Sequence, residues 1–345
     1  MPTADNGEAA GLRVVVLGGT GYLGRRIGEA FAADGALVHL VSRNPAKDGP
    51  ANDGPANDGA AKDGGPGPWS VRMDLLTARP RELTEFFGSV RPDVVVNAAG
   101  RVWQADEAEM TEGNADLVAR VTESLAELPR GPRLIQLGTV HEYGAGTPGA
   151  GTSEDQEPAP VTPYGRTKLL GTRIVQRAAA EHGLDGVVLR LANVIGAGAP
   201  AGSLFGMVAA HLGEAARAES LGEKPDELRL PPLRAHRDVL DAHDAVDAVR
   251  AAATAPGADL RGQVVNIGRG EAVPVHALIH RMVELSGVDL PVVETAADQP
   301  VRTDAEWLQL DVSRALRLLG WQPRRTLDAS LRDLLTVAAP VNGRK

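Results

Sequence analysis

The sequence predicts an α/β protein in which helices cover both faces of a parallel sheet. The run 12-LRVVVLG-18 is continuously apolar and rich in β-branched residues, which is typical of a strand buried on both faces. Similar runs alternate with segments of helical periodicity as far as about residue 195, the pattern of repeated strand–helix–strand units. The glycines of 18-GGTGYLG-24 lie where the first strand gives way to the first helix.

The remaining elements of this part follow in regular order. A helix is predicted over 22–33, and a second strand over 36–42. Further strands are predicted at 69–73, 93–99, 133–138 and 186–192. Further helices are predicted at 80–88, 106–127, 163–182 and 203–219.

Beyond about residue 195 the pattern becomes less regular. Short strands are predicted around 228–230 and 263–267. Helices are predicted at 241–254, 274–286, 311–319 and 326–337. We therefore expect a main domain over 1–195, which carries the cofactor site and the catalytic residues. A smaller α/β substrate lobe over 196–345 is expected to return some elements to the main sheet.

The segment 47–68 interrupts the alternation. It repeats the motif DGPAN and consists almost entirely of turn-forming and small polar residues. Such a composition buries too little apolar surface to order itself. We expect a flexible surface insertion after the second strand, without a role in chemistry.

The composition excludes several classes of protein. The chain of 345 residues has a formal net charge of −9, so nucleic acid is not an expected partner. It contains no cysteine, which excludes disulfides and thiolate metal sites, and no metal site is predicted. No run reaches the length of a membrane span, and the N-terminus lacks the pattern of a signal peptide. We expect a cytoplasmic protein.

The glycine-rich segment predicts a dinucleotide site. Gly18, Gly21 and Gly24 would permit a tight turn, a close approach of backbone N–H groups to a phosphate, and packing of the helix on the sheet. Thr20, Tyr22 and Leu23 lie within the same loop and would contact the same ligand. A glycine-rich turn without a ligand is the alternative, but the position between strand and helix favours binding.

The end of the second strand distinguishes between dinucleotides. An acid there would bind the adenosine ribose of NAD, whereas this chain carries Ser42 and Arg43. Arginine suits the 2′-phosphate of NADP(H), although a solvated arginine at a strand end is the alternative. Asp74, after the third strand, would receive the adenine amine or cap a helix.

The segment 93-DVVVNAAG-100 ends in small residues at the carboxyl edge of the predicted sheet. Asn97, Ala98, Ala99 and Gly100 would leave room for the ribose and the pyrophosphate of the cofactor. We therefore assign these residues to the cofactor site.

Tyr164 and Lys168 are four residues apart in a predicted helix, so they lie on one helical face. A free tyrosine has a pKa near ~10, too high for efficient proton exchange at neutral pH. An ammonium one turn away stabilises the phenolate and lowers that pKa. The pair is therefore either a proton-transfer device or two unrelated surface side chains.

Several motifs together resemble those of the extended short-chain dehydrogenases/reductases, which include nucleotide-sugar epimerases, dehydratases and ketoreductases. They are GGTGYLG, NAAG, Thr139 in 137-LGTVHEYG-144, and the Tyr164–Lys168 pair. The resemblance continues in the same order through 190-RLANVIGAG-198, 236-HRDVLDAHDAVDAV-249, 265-VNIGRGE-271 and 311-DVSRALRLLGW-321. It therefore covers nearly the whole chain except 47–68.

The resemblance implies a Rossmann-type doubly wound parallel sheet and assigns the chemistry to three residues. Tyr164 would be the general acid/base, and Lys168 would lower its pKa and bind the nicotinamide ribose. Thr139 would hydrogen-bond the substrate oxygen. The helices at 106–127 and 163–182 would pair in a homodimer, as in related proteins.

The residues after Thr139 discriminate between reactions. Sugar dehydratases carry Asp-Glu there as acid and base, whereas this chain carries Val140 and His141. Valine moves no proton, and Glu142 is displaced by one position, so dehydration is disfavoured. His141 would be a second acid, a substrate contact or a partly buried residue beside Tyr143.

The predicted reaction is NADPH-dependent reduction of the keto group of a nucleotide-diphospho-4-keto-6-deoxyhexose. The alternatives are a nucleotide-sugar epimerase, a reductase of a non-nucleotide ketone, and a non-enzymatic NADP sensor. In the resemblance, Arg237 and Arg302 match arginines that contact the diphosphate, and Asn193 matches a phosphate-region contact. Trp103 would stack on a sugar or close the cleft. Each of these substrate-side residues has a structural alternative as an ion-pair or turn residue.

Overall fold

A computed structural model describes residues 9–44, 68–102, 105–295 and 305–336. Its main sheet has seven strands, all parallel. They are β1 (Arg13–Leu17), β2 (Leu37–Ser42), β3 (Trp69–Arg72), β4 (Val94–Asn97), β5 (Arg133–Thr139), β6 (Gly186–Leu191) and β10 (Val264–Ile267). Their order across the sheet is β10-β6-β5-β4-β1-β2-β3.

The order of strands reverses at β1, which pairs with β2 on one side and with β4 on the other. Connections leave the sheet in opposite directions at such a point, so a crevice opens at the carboxyl ends of the strands. The fold is the predicted Rossmann-type α/β fold. The predicted strands at 12–18, 36–42, 69–73, 93–99, 133–138, 186–192 and 263–267 are confirmed with end shifts of one or two residues.

The helices lie on both faces of this sheet and on the C-terminal part. They are α1 (Tyr22–Ala33), α2 (Pro80–Val90), α3 (Glu107–Thr111), α4 (Leu117–Ala126), α5 (Pro163–His182), α6 (Leu204–Ser220), α7 (Ala242–Thr254), α8 (Gly257–Leu260), α9 (Val275–Ser286), α10 (Ser313–Leu319) and α11 (Leu327–Thr336). The helix predicted over 106–127 is continuous, but a π-helical segment, Glu112–Asp116, joins α3 to α4.

Side chains of the central strand β1 point alternately into two apolar cores. Val14 and Val16 belong to the core that contains Phe31 of α1. Val15 and Leu17 belong to the core that contains Phe87 of α2. Because successive strand residues face opposite sides, this division shows that the sheet is buried on both faces, as the apolar run predicted.

The C-terminal part adds smaller sheets. The strand β9 (His236–Asp241) pairs with β7 (Asn193–Ile195), β11 (Ala272–Pro274) and β13 (Trp307–Leu308), while β8 (Leu228–Leu230) pairs with β12 (Val292–Glu294). A third apolar core unites α6, α9 and α11 with these strands. The sequence did not predict β7, β9, β11, β12 or β13, which are defined by their pairing with one another and with β8 and not by a long apolar run.

None of the helices in the described ranges combines the length and the apolar character needed to span a bilayer. The predicted insertion at 47–68 lies outside the described residues except for Pro68.

Candidate active site

The glycine-rich loop forms a cradle at the carboxyl end of β1. Gly18 has a φ of +79°, and a Cβ atom there would lie 2.9 Å from the backbone nitrogen of Ala99. Gly21 is the N-cap of α1 and no side chain caps this helix, so its first N–H groups remain available to a ligand. A loop that excludes side chains and presents N–H donors at a helix N-terminus fits a pyrophosphate. The loop thus has the geometry that a dinucleotide site needs, and the assignment of Gly18, Thr20, Gly21, Tyr22, Leu23 and Gly24 to that site stays a prediction.

The end of β2 provides two different side chains to the same crevice. Ser42 is buried, and its hydroxyl oxygen has no hydrogen-bond partner within the described residues. Arg43, the next residue, is exposed. Buried hydroxyls are normally hydrogen-bonded, so the orphaned Ser42 hydroxyl fits a site that is completed by a ligand.

Asp74 is exposed, and its carboxylate accepts a hydrogen bond from the Leu76 N–H at 3.1 Å. It caps a turn before α2, whose own N-cap is Arg79. Asp74 therefore caps a turn and not a helix, and its predicted contact with the adenine amine stays a prediction.

The loop after β4 is held by two buried asparagines. The Asn97 side chain donates to the Gln136 side chain at 2.8 Å and accepts from the Ala99 N–H at 3.2 Å. Asn114, in the π-helical segment, bonds both backbone groups of Arg101 and donates to the Thr167 hydroxyl at 3.1 Å. These bonds fix Ala98, Ala99 and Gly100 against α5, the helix that carries Tyr164 and Lys168.

The three predicted catalytic residues meet at the carboxyl end of β5. Thr139 is the last residue of β5, and its hydroxyl lies close enough to the phenol of Tyr164, in the first turn of α5, to lower the pKa of that phenol. Lys168 lies one turn further along α5, is buried, and donates to the carbonyl oxygen of Leu137. The sequence spacing therefore places one hydroxyl, one phenol and one ammonium at the same edge of the sheet.

The expected lowering of the Tyr164 pKa by Lys168 is not what the protein alone shows. Burial and, to a smaller extent, the nearby Glu142 carboxylate raise the pKa of Tyr164 to about 12, while the Thr139 hydroxyl acts in the opposite direction. Burial also lowers the pKa of Lys168, against the opposing effect of Glu142. The reason is that desolvation and a buried carboxylate outweigh the ammonium, which is engaged with the Leu137 carbonyl.

Glu142 is the functional neighbour that the sequence did not reveal. It is fully buried, and its carboxylate accepts hydrogen bonds from the Thr139 N–H, the Thr172 hydroxyl and the Arg190 guanidinium. Arg190, on β6, also stacks on the Tyr143 ring, 4.4 Å from its centroid. A charged residue inside the apolar run 186-GVVLRLA-192 was the available signal, since such a charge requires a buried partner.

The two residues after Thr139 differ in exposure. Val140 is buried, and His141 is half-buried with its ring edge-on to the Tyr164 ring, 6.0 Å between centroids. The three predicted roles of His141, a second acid, a substrate contact or a partly buried residue, stay predictions. Glu142 points into the core and is not available as a second acid at this edge.

Two of the residues predicted to contact the substrate, Asn193 and Arg237, bond backbone carbonyl groups in the structure. Asn193 donates to the backbone carbonyl of Asp238 at 3.1 Å, which fits its structural alternative. Arg237 is buried in β9 and donates to the carbonyl of His236 at 3.0 Å. Trp103 and Arg302 lie outside the described residues.

The sequence matches the NAD dependent epimerase/dehydratase family over residues 14–268. The chain belongs to this family. Its members include NAD(P)-dependent enzymes that modify nucleotide sugars, and the cradle and the Thr–Tyr–Lys group occupy the matched region.

Two relatives differ in how much of the chain they match. A dTDP-6-deoxy-L-talose 4-dehydrogenase (NAD(P)(+)) from Kitasatospora kifunensis is 41% identical over 337 residues, which cover 97% of this chain and 98% of that protein. A UDP-glucose 4-epimerase from Azospirillum brasilense is 31% identical over 192 residues, 53% of this chain and 54% of that protein.

Solved structures of family members share the fold. The structure of RMD from Pseudomonas aeruginosa complexed with NADPH aligns with a TM-score of 0.76 at 21% identity, covering 95% of this chain and 98% of that one. At this identity the likeness establishes the architecture alone.

We predict that Gly18→Ala weakens binding of both NADPH and NADH by about ten- to a hundredfold. The added methyl group must displace the loop from Ala99, and each charge-assisted hydrogen bond that is lost costs about 1.5–3 kcal/mol. Isothermal titration calorimetry measures the dissociation constants. Gly88→Ala, where a Cβ atom meets nothing within 4 Å, should leave them unchanged. Equal affinities in the parent and Gly18→Ala would refute the cradle.

Proposed function

We propose that this protein reduces the C4 keto group of a nucleotide-diphospho-4-keto-6-deoxyhexose with NADPH. One observation carries the proposal: the Tyr164 phenol, whose raised pKa keeps it protonated, lies beside the Thr139 hydroxyl at the sheet edge that also carries the glycine-rich cradle. Tyr164 and Thr139 together can hold a substrate oxygen and deliver one proton to it. Net ketone reduction requires one hydride and one proton.

The pKa of Tyr164 suits the role of proton donor that reduction requires. A phenol whose pKa is about 12 stays protonated throughout the neutral range, so it is ready to donate. An alkoxide formed from a ketone is a stronger base than a phenolate, which makes this donation favourable. The reverse reaction needs Tyr164 as a base, and burial beside Glu142 makes the phenolate costly.

The roles of the chain follow from this arrangement. The reduced nicotinamide supplies the hydride when the cofactor is bound. The Thr139 hydroxyl and the Tyr164 phenol orient the carbonyl oxygen and stabilise the charge that develops on it. Tyr164 then gives its proton to that oxygen, and Lys168 provides a fixed positive charge at the same edge. The fully apolar Val140 takes no part in proton transfer.

A relative supports the nucleotide-sugar substrate. The Kitasatospora protein is named as a 4-dehydrogenase of dTDP-6-deoxy-L-talose, and the match covers nearly both chains. Oxidation of a C4 hydroxyl and reduction of a C4 ketone are the two directions of one reaction. We therefore propose a deoxysugar pathway, with His141, Asn193 and Arg237 on the substrate side together with Trp103 and Arg302. The proposed boundary between cofactor and substrate parts remains near residue 195.

We predict NADPH oxidation when the protein is mixed with dTDP-4-keto-6-deoxyglucose or its 2,6-dideoxy relatives. Tyr164→Phe should lower kcat by about 10²–10⁴-fold, because the proton donor is lost, while the NADPH dissociation constant stays close to that of the parent. The decrease in NADPH absorbance and the product's C4 configuration are measured. Interconversion of two nucleotide sugars without net NADPH loss would instead establish an epimerase. Reduction of simple ketones only would exclude the nucleotide-sugar substrate.

We predict that Arg43→Ala raises the dissociation constant for NADPH by about ten- to a hundredfold and leaves that for NADH unchanged. Arg43 is exposed at the end of β2, where its planar donor fork would meet the 2′-phosphate. Fluorescence titration with both cofactors tests this. The exposed Arg81 of α2, paired with Glu85, offers a control variant that should change neither constant. Equal changes in the dissociation constants of NADPH and NADH would mean that Arg43 does not bind the 2′-phosphate.

We also propose a homodimer formed through α5 and the helical segment 107–126. Val161 and Leu170 are exposed large apolar residues before and within α5, with 44% and 46% of their surfaces accessible. We predict that Leu170→Arg converts the dimer to a monomer in sedimentation velocity, since a buried unpaired charge disfavours association. Leu221→Arg, at a more exposed position after α6, should leave the dimer intact. A parent protein that sediments as a monomer would contradict the proposal.

A further inference from the structure

One buried carboxylate has no part in the reaction described above, although it contacts several of its components. Glu142 has no accessible surface, and its carboxylate accepts three hydrogen bonds from three different elements. One oxygen receives the backbone N–H of Thr139 at 2.9 Å. The other receives the Thr172 hydroxyl and the Arg190 Nε, both at 2.8 Å.

These partners join the parts that carry the catalytic groups. Thr139 is itself the residue whose hydroxyl lies beside the Tyr164 phenol and lowers its pKa. Thr172 lies on α5 one turn beyond Lys168, so its bond fixes the helix that bears both Tyr164 and Lys168. A Cβ atom on Gly138 would lie 2.7 Å from the Glu142 carboxylate, so the backbone leaves space for this side chain. A single carboxylate therefore sets the distance between β5 and α5.

Charged groups surround this carboxylate within the described residues. Lys168 faces it from α5 and Arg190 from β6, while His141 lies on the same turn with its ring against Tyr164. Glu142 is the negative member of this group. Its charge raises the pKa of Tyr164, and it also raises the pKa of Lys168 against the effect of burial. Both increases in pKa favour the protonated forms of Tyr164 and Lys168.

We propose that Glu142 is a positioning residue for proton transfer, because it fixes the Thr139 turn against α5 and supplies the negative charge that Tyr164 and Lys168 both face. The inference rests on the proposed function in that Tyr164 donates the proton. A purely structural ion pair between Glu142 and Arg190 would stabilise the fold without affecting the titration of Tyr164 or Lys168. The two roles therefore differ in a measurable property.

The direct test is the titration of Tyr164 and Lys168 in Glu142→Gln. The sequence has three tyrosines and five lysines, so NMR of ¹³C-labelled tyrosine and ¹⁵N-labelled lysine resolves few signals, which Tyr164→Phe and Lys168→Met assign. We expect both groups to titrate at least about 1 pH unit lower than in the parent. Lys168 loses a nearby opposite charge that stabilised its ammonium, and the Tyr164 phenolate loses a nearby like charge that repelled it. Unchanged titration of both groups would overturn the proposal.

The pH dependence of reduction gives the second readout. Reduction requires a protonated Tyr164 and a charged Lys168, so its rate falls as either group loses its proton. Removing Glu142 lowers the pKa of both groups, and both changes move the alkaline limb of kcat in the same direction. We expect this limb to shift down by at least about 1 pH unit in Glu142→Gln. An alkaline limb at the parent position would also contradict the proposal.

A second variant covers the case in which Glu142→Gln does not fold. Breaking one member of a buried ion pair is strongly destabilising, whereas replacing both members by apolar residues is often tolerated. Glu142→Leu/Arg190→Met removes the pair while leaving Tyr164 and Lys168 in place, and it should show the same lowered titrations. Glu154 provides a matched control, since its buried carboxylate bonds the Asn266 N–H and contacts Arg314. Glu154→Gln should leave the titration of Tyr164 and Lys168 unchanged, and an equal shift there would assign the effect to general loosening.

The two proposals can fail separately. The NMR titrations need no substrate, so they report on Glu142 even if the protein reduces no nucleotide sugar. Turnover of the 4-keto sugar by the parent with unshifted titrations in Glu142→Gln would refute the role of Glu142 alone. Shifted titrations without any turnover by the parent would refute the proposed reaction alone.

Discussion

A buried positive charge in the main sheet determines how the residues at the carboxyl end of β5 are arranged. Arg190 lies on β6, a strand buried along its whole length, where an unpaired guanidinium would cost several kcal/mol. The chain meets this constraint with the Glu142 carboxylate and with the face of the Tyr143 ring. Because Glu142 also accepts from Thr139 and Thr172, the pairing of Arg190 fixes the turn that presents the catalytic hydroxyl.

The spacing of Tyr164 and Lys168 along the chain does not determine the pKa of the phenol, because Glu142 also acts on it. A spacing of four positions places Tyr164 and Lys168 on one helical face, but it does not set the proton affinity of the phenol. Burial and the Glu142 charge set it, and they oppose the effect that the ammonium alone would have. The surroundings of this phenol therefore favour its protonated form, and the Tyr–Lys motif alone does not predict that preference.

The sequence predicted what depends on long buried runs and on local motifs. Strands such as β1 and β5 were predictable because a strand buried on both faces is continuously apolar. The strand β7 and the π-helical segment were not, because the first exists through pairing with β9 and the second places Asn114 against Arg101 and Thr167. Within the site, Gly18 and Thr139 follow from motifs read locally. Glu142 depends on Arg190, which lies 48 residues further along the chain, so no local pattern could assign its role.

The arrangement also bears on which of the family's reactions we propose for this chain. Elimination of water requires an acid and a base near the catalytic hydroxyl, and the resemblance places a carboxylate pair there in dehydratases. Val140 is buried and carries no proton, while Glu142, only two residues further on, is turned into the core and saturated by three donors. A carboxylate engaged in that way is a fixed charge, since protonating it would break its bond with Arg190. Tyr164 is then the proton carrier that we propose for this edge, in keeping with the proposed transfer of one proton with one hydride.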